Sequence, residues 1–113
     1  MNLNVIKIGT SLLRGEDSLS TNDFIDILCC SIAKAKGRGD QLVLISSGAV
    51  GLGCKRLNLK ERPKDLVSLQ SVAAVGQVYL MSLYEKAMSK YGLQVAQVLL
   101  TRSDFVSKGA YHN

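Results

Sequence analysis

Two short stretches carry residue types that could hold negative charge. The first is "NVIKIGTSLLRG", residues 4–15, in which an apolar run is interrupted by Lys7 and stops at Gly9, Thr10 and Ser11. A lysine inside a strand is costly unless its ammonium is solvated or paired, and glycine weakens a strand that has no use for it. At a strand end the same features suit a phosphate. Gly9 lets the backbone come close, Thr10 and Ser11 offer hydroxyls, and Lys7 brings a positive charge. The competing reading is a lysine snorkelling into a turn whose glycine serves backbone geometry alone.

The second stretch is "ISSGAVGLG", residues 45–53, which follows a strand pattern and opens a helical one. Ser46, Ser47, Gly48 and Ala49 leave the amides at a helix N-terminus unobstructed, and those amides, with the helix dipole, attract a carboxylate or phosphate. The glycines fall as Gly48-x-x-Gly51-x-Gly53, the reverse of G-x-G-x-x-G, and G-x-x-x-x-G-K-[ST] occurs nowhere, so Rossmann and P-loop readings both lose support. The competing reading is small residues that permit close helix-to-strand packing.

Other stretches offer less. In "SVAAVGQVYLMSLYEKAM", residues 71–88, Ala73, Ala74 and Gly76 admit a close neighbour and Gln77 is a polar group on a largely apolar helix. Packing explains them best, and Tyr79, Met81, Leu83 and Tyr84 read as core and interface. "CKRLNLKERPK", residues 54–64, gathers Lys55, Arg56, Lys60, Arg62 and Lys64 but lacks the interleaved aromatics that stack bases. His112 is the only histidine, so a histidine triad or histidine-based metal cluster has no partners to draw on. Asp23 and Asp26 are expected to face solvent.

Two anion-seeking loops at neighbouring strand ends could hold two negatively charged reactants that otherwise repel. Phosphoryl transfer from a nucleotide to a carboxylate has that requirement. An ionised carboxylate is already a nucleophile, so catalysis is mainly positioning and charge neutralisation, and a histidine-poor site is no objection.

The elements that position these residues follow from periodicity. Residues 3–8, 41–45 and 94–100 are short, nearly all-apolar strand patterns, as expected of strands covered on both faces. Between the first two, Ile25, Leu28, Cys29, Ile32 and Ala33 recur at helical spacing, with Ser20 as cap and Gly37 as stop. Asp65 or Ser68 caps a second helix running to about residue 90, with Val72, Val75, Tyr79, Leu83 and Ala87 on one stripe and Gly92 ending it. The β-α-β-α-β series predicts a parallel sheet with helices on both faces and right-handed crossovers. Ligands then belong beyond the carboxyl ends of the strands. Pro63 sits in a polar connector.

The 113 residues are 47% hydrophobic, ample for a core, and carry a formal net charge of +5 with a pI near 9.3, which favours anionic partners without naming one. Cys29, Cys30 and Cys54 are odd in number without C-x-x-C, so neither a disulfide framework nor a zinc site is expected, and a reducing, cytoplasmic setting fits. No apolar run is expected to reach the roughly 20 residues of a membrane span, and the start lacks the order of a signal peptide. "TRSDFVSKGAYHN", residues 101–113, begins like a strand-to-helix passage and stops early, so the chain is expected to be a piece of something longer.

The strings "VIKIGTSLL", "LVLISSGAVGLG", "QSVAAVGQVYLMSLYEKAMSKYG", "VAQVLLTRSDF" and "YHN" resemble, in order and spacing, the N-terminal part of the amino-acid kinase family, in its glutamate-phosphorylating branch. The resemblance runs over essentially the whole chain. It implies a three-layer α/β/α sandwich with a mainly parallel sheet, of which residues 1–113 are an incomplete N-terminal part. The nucleotide-binding half and any C-terminal RNA-binding-like domain would be absent.

The activity implied is ATP-dependent phosphorylation of the γ-carboxylate of L-glutamate, the first step of proline biosynthesis. By the same resemblance Lys7 is the catalytic and phosphate-contacting lysine, Gly9 and Thr10 adjoin it in the phosphate loop, and Ser47, Gly48 and Ala49 hold glutamate. Partners implied are L-glutamate, ATP with Mg2+ whose ligands are not identifiable in this chain, proline as a candidate feedback inhibitor, and a homo-oligomeric cytoplasmic parent without membrane or nucleic-acid contacts in this part. The isolated piece is expected to have little activity. Two other readings stay open: a non-catalytic remnant or assembly module of such a kinase, and a small basic nucleic-acid-binding domain.

Overall fold

The computed structural model describes residues 2–9 and 20–99. Thr10 and Ser11, which the sequence assigns to the phosphate loop, and residues 100–113 lie outside the described residues. Strand β1 (Leu3–Ile8) and strand β2 (Gln41–Ser46) pair in parallel, from Leu3 opposite Gln41 to Ile8 opposite Ser46. Helix α1 (Thr21–Gly37) lies between them in sequence, and helices α2 (Ala49–Arg56) and α3 (Leu66–Ser89) follow β2.

Local chemistry sets the boundaries. Ser20 caps α1, its hydroxyl accepting from the Asp23 amide at 3.1 Å, while Lys34 and Lys36 in the last turn complement the helix dipole. Of the two caps the sequence allows for α3, Asp65 is the acceptor and the Ser68 amide the donor, at 2.9 Å. Gly92, at φ 70°, turns the chain away beyond α3. Asp40 is buried just before β2 and accepts from the Asn2 amide at 3.2 Å and from Asn4 Nδ2 at 3.3 Å, tying the starts of the two strands together.

The core lies on one face of the sheet. Ile6, Ile8, Leu42 and Leu44 turn toward Ile25, Cys29, Leu52, Leu80 and Tyr84 from the three helices. Leu3, Val5, Val43 and Ile45 are exposed on the other face, beside Lys7. The sequence predicted strands covered on both faces; among the described residues the helices cover one. Alternation of half-buried and exposed positions along β1 and β2 records this directly.

Four further expectations need correction. Residues 94–99 form no strand, because β propensity alone makes no ladder and no described strand pairs with them; Leu93 and Val95 pack against the core while Val98 and Leu99 stay exposed. The buried stripe of α3 is Val72, Gly76, Leu80, Tyr84 and Ala87, so Val75, Tyr79 and Leu83 flank it half-buried rather than forming it. On α1, Ala35 is buried where Ala33 was expected. Finally, α3 is long and apolar enough to cross a membrane by length and composition, contrary to the expectation that no run reaches that length. In the fold one stripe of it lines the core, with Leu80 and Tyr84 almost fully enclosed, while Leu66, Val67 and Val78 stay exposed.

Candidate anion site at the strand ends

Parallel pairing brings the two predicted loops to one edge. Lys7 sits opposite Ile45 and Ile8 opposite Ser46, so the chain leaves β1 at Gly9 beside the point where it leaves β2 at Ser47. Ser47 Oγ donates to the Ile8 carbonyl at 3.3 Å and fastens the second turn to the end of the first strand. Lys7 is exposed and alternates with the core-facing Ile6 and Ile8, so it leaves the sheet from the open face. Any reach from there to the edge comes from its flexible four-carbon stem.

Each glycine in these stretches has its own reason. A Cβ at Gly9 would meet no described atom within 4 Å, so sterics within the fold do not demand glycine there. Gly48 has φ 101°, a left-handed conformation that glycine adopts without strain, and it opens α2. Gly53 and Gly76 serve packing. A Cβ at Gly76 would fall on the Ala49 carbonyl oxygen, and one at Gly53 on the Val72 carbonyl oxygen. The close-packing alternative therefore holds for these two, between helices α2 and α3 rather than between helix and strand.

Helix α2 presents open amides. Its first internal bond runs from the Leu52 amide to the Gly48 carbonyl at 2.9 Å, so the amides of Ala49, Val50 and Gly51 precede the helical ladder. No side chain caps this end and its first turn carries no acid, whereas α1 and α3 are capped by Ser20 and Asp65. Partial positive charge is thus left at the strand-end edge.

Tyr84, which the sequence assigned to core and interface, also makes a polar contact at the strand ends. Its hydroxyl lies 3.1 Å from Ser46 Oγ, and Ser46 Oγ donates in turn to the Ser47 carbonyl at 3.4 Å. Burial pushes the Tyr84 phenol above its ordinary pKa, opposed by the hydrogen bond with Ser46, so it stays protonated at neutral pH. The only sequence signal was an aromatic with a polar tip on a buried helical face.

The remaining candidates sit elsewhere. Arg56, though exposed, stacks on the Tyr79 ring at 4.9 Å and so links α2 to α3. Asp23 and Asp26 are exposed as expected, Asp26 pairing with Lys90 at 3.3 Å. Among the described residues no three His, Cys, Asp or Glu side chains gather in a metal-binding group, and the three cysteines are free thiols. A groove of about 750 Å³ between α1 and α3, bordered by Asn22, Asp26, Ser82 and Lys86, contains none of the strand-end residues.

Two parallel strands whose carboxyl ends meet beside a glycine-opened helix are the parts of an α/β domain. The sequence matches the Amino acid kinase family over residues 2–113, and the chain belongs to that family. Among curated relatives it is similar to the glutamate 5-kinase of Prochlorococcus marinus strain SARG, 65% identical over 113 residues, all of this chain and 31% of that protein. The glutamate 5-kinase of strain NATL2A is 57% identical over 96% of this chain and 30% of its own length. That of Synechococcus sp. strain CC9902 is 54% identical over the whole chain and 30% of its own length. The chain thus spans about three tenths of the curated relatives it matches.

Proposed function

We propose that this chain is the glutamate-binding and phosphate-facing part of a glutamate 5-kinase, which phosphorylates the γ-carboxylate of L-glutamate with ATP as donor. The observation that supports this above all is the joining of both loops at one edge, through the Ile8–Ser46 register and the Ser47–Ile8 hydrogen bond. The names of the relatives supply the substrate.

In this reading Ser47, Gly48 and Ala49 hold the amino-acid substrate, with the open amides of α2 balancing its negative charge. Lys7 neutralises charge on the phosphate side, and Gly9 leaves room for close approach of a phosphoryl oxygen. Thr10 belongs beside Gly9 in the same loop. ATP with Mg2+, when bound, supplies the phosphoryl group. The open amides and the uncrowded Gly9 suit phosphate oxygens. A cytoplasmic setting, a homo-oligomeric parent and feedback by proline belong to the same proposal.

The test is ATP-dependent formation of an acyl phosphate from L-glutamate by the full-length gene product, trapped as the hydroxamate with hydroxylamine. Glutamate-dependent hydroxamate is the expected result. Its absence with an intact, folded protein overturns the reading in favour of a non-catalytic member of the family.

A further inference from the structure

We propose that Tyr84 is a positioning residue for the substrate turn, acting through Ser46, and that helix α3 is the platform on which the turn is set. The proposal rests on the functional reading above and deepens it. Three contacts carry it. Tyr84 is 3% exposed and commits its one hydroxyl to Ser46 Oγ at 3.1 Å. Ser46 Oγ reaches the Ser47 carbonyl at 3.4 Å, and Ser47 Oγ reaches the Ile8 carbonyl at 3.3 Å. A chain of hydroxyls therefore runs from α3 through the turn to the end of β1.

The other side of the turn is fixed to the same helix. The Ala49 carbonyl rests against Gly76, so α3 holds the turn before Gly48 by a hydrogen bond and the turn after it by contact. Gly48 itself sits at φ 101° with no side chain to restrain it. A glycine hinge flanked by two anchors keeps one conformation only while both anchors hold. The phenol ring is separable from this task, because the ring fills the core while the hydroxyl alone meets Ser46.

Tyr84→Phe keeps the ring and removes the anchor. In the full-length enzyme the glutamate KM is expected to rise roughly 3–10-fold, the range a single lost hydrogen bond covers, with kcat within about 2-fold. Ser46→Ala, which also removes the bond to the Ser47 carbonyl, should raise KM at least as much, and the double variant should be no worse than Ser46→Ala alone, because both substitutions break the Tyr84–Ser46 link. Hydrogen exchange at the amides of residues 47–51, read without ligand, should speed up in Tyr84→Phe while exchange in α1 is unchanged. Additive effects of the two substitutions, or an unchanged KM with unchanged exchange at 47–51, overturn the proposal. If the unaltered protein fails to phosphorylate glutamate, the functional reading falls, and the exchange measurement still decides whether Tyr84 sets this turn.

Discussion

Replacing Gly76 by alanine sets two known effects against each other. In a helix interior the change stabilises by up to about 1 kcal/mol, because glycine is the poorer helix former. At position 76 the added Cβ would fall on the Ala49 carbonyl oxygen and lie 2.7 Å from the Gly53 amide nitrogen, closer than real Cβ atoms come to their neighbours. Backbone stands on both sides, so no rotamer relieves the clash and α2 must retreat from α3. Overpacking of this kind costs about 1–3 kcal/mol. With the upper end taken for a backbone obstacle, the net is roughly 2 kcal/mol lost. Urea unfolding followed by far-ultraviolet circular dichroism measures it, with Gly37→Ala as the counterpart. A Cβ at Gly37 would meet no described atom within 4 Å, so that variant should be neutral or slightly stabilised. A Gly76→Ala protein as stable as the unaltered one refutes the argument that the α2–α3 contact requires glycine.

Further outcomes follow from the same geometry. Lys7→Ala should mainly lower kcat, and Ser47→Ala should mainly raise the glutamate KM, in the hydroxamate assay; the reverse pattern exchanges their roles. Burial in the core pushes the Cys29 thiol from 9.0 up to about 11. The unfolded chain ionises first, so stability is intact below pH 9 and about 2 kcal/mol of it is lost as pH rises toward 11, a slope that urea melts of Cys29→Ala should lack. The hydrogen bond from the Ser68 amide holds the Asp65 carboxyl below its ordinary 3.8. Its support of α3 is therefore present above that value and lost as pH falls through the lowered one. Asp65→Asn, which still accepts the bond, should flatten that acid response in circular dichroism.

Much of this arrangement was legible in the sequence, and the failures have physical causes. Ser20, Asp65 and Gly92 marked helix ends because capping is local chemistry within four residues. The meeting of the two strand ends, with Ile8 opposite Ser46, followed from two strand patterns separated by one helix. What the sequence could not carry was which partner a small or apolar residue meets. Gly53 and Gly76 face each other's helices, a relation invisible to a pattern read along one helix at a time. The α3 stripe shifted by one position because nearly every residue from 72 to 84 is apolar or small, so several stripes fit equally. Residues 94–99 had the composition of a strand, but a strand exists only through its neighbour. Tyr84 looked like any core aromatic, since its partner Ser46 lies 38 residues away in the chain.

Lys7 ends the greasy strip that Leu3, Val5, Val43 and Ile45 form on the side of the sheet that no described helix covers. A lone ammonium in such a strip discourages strand-to-strand stickiness between molecules, whatever else it does. Substituting alanine there thus removes a solubilising charge as well as the proposed phosphate partner, and light scattering belongs beside every rate measured on that variant. Lys7→Arg keeps the charge while changing its shape, so a rate lost in Lys7→Arg without added turbidity reports on chemistry alone.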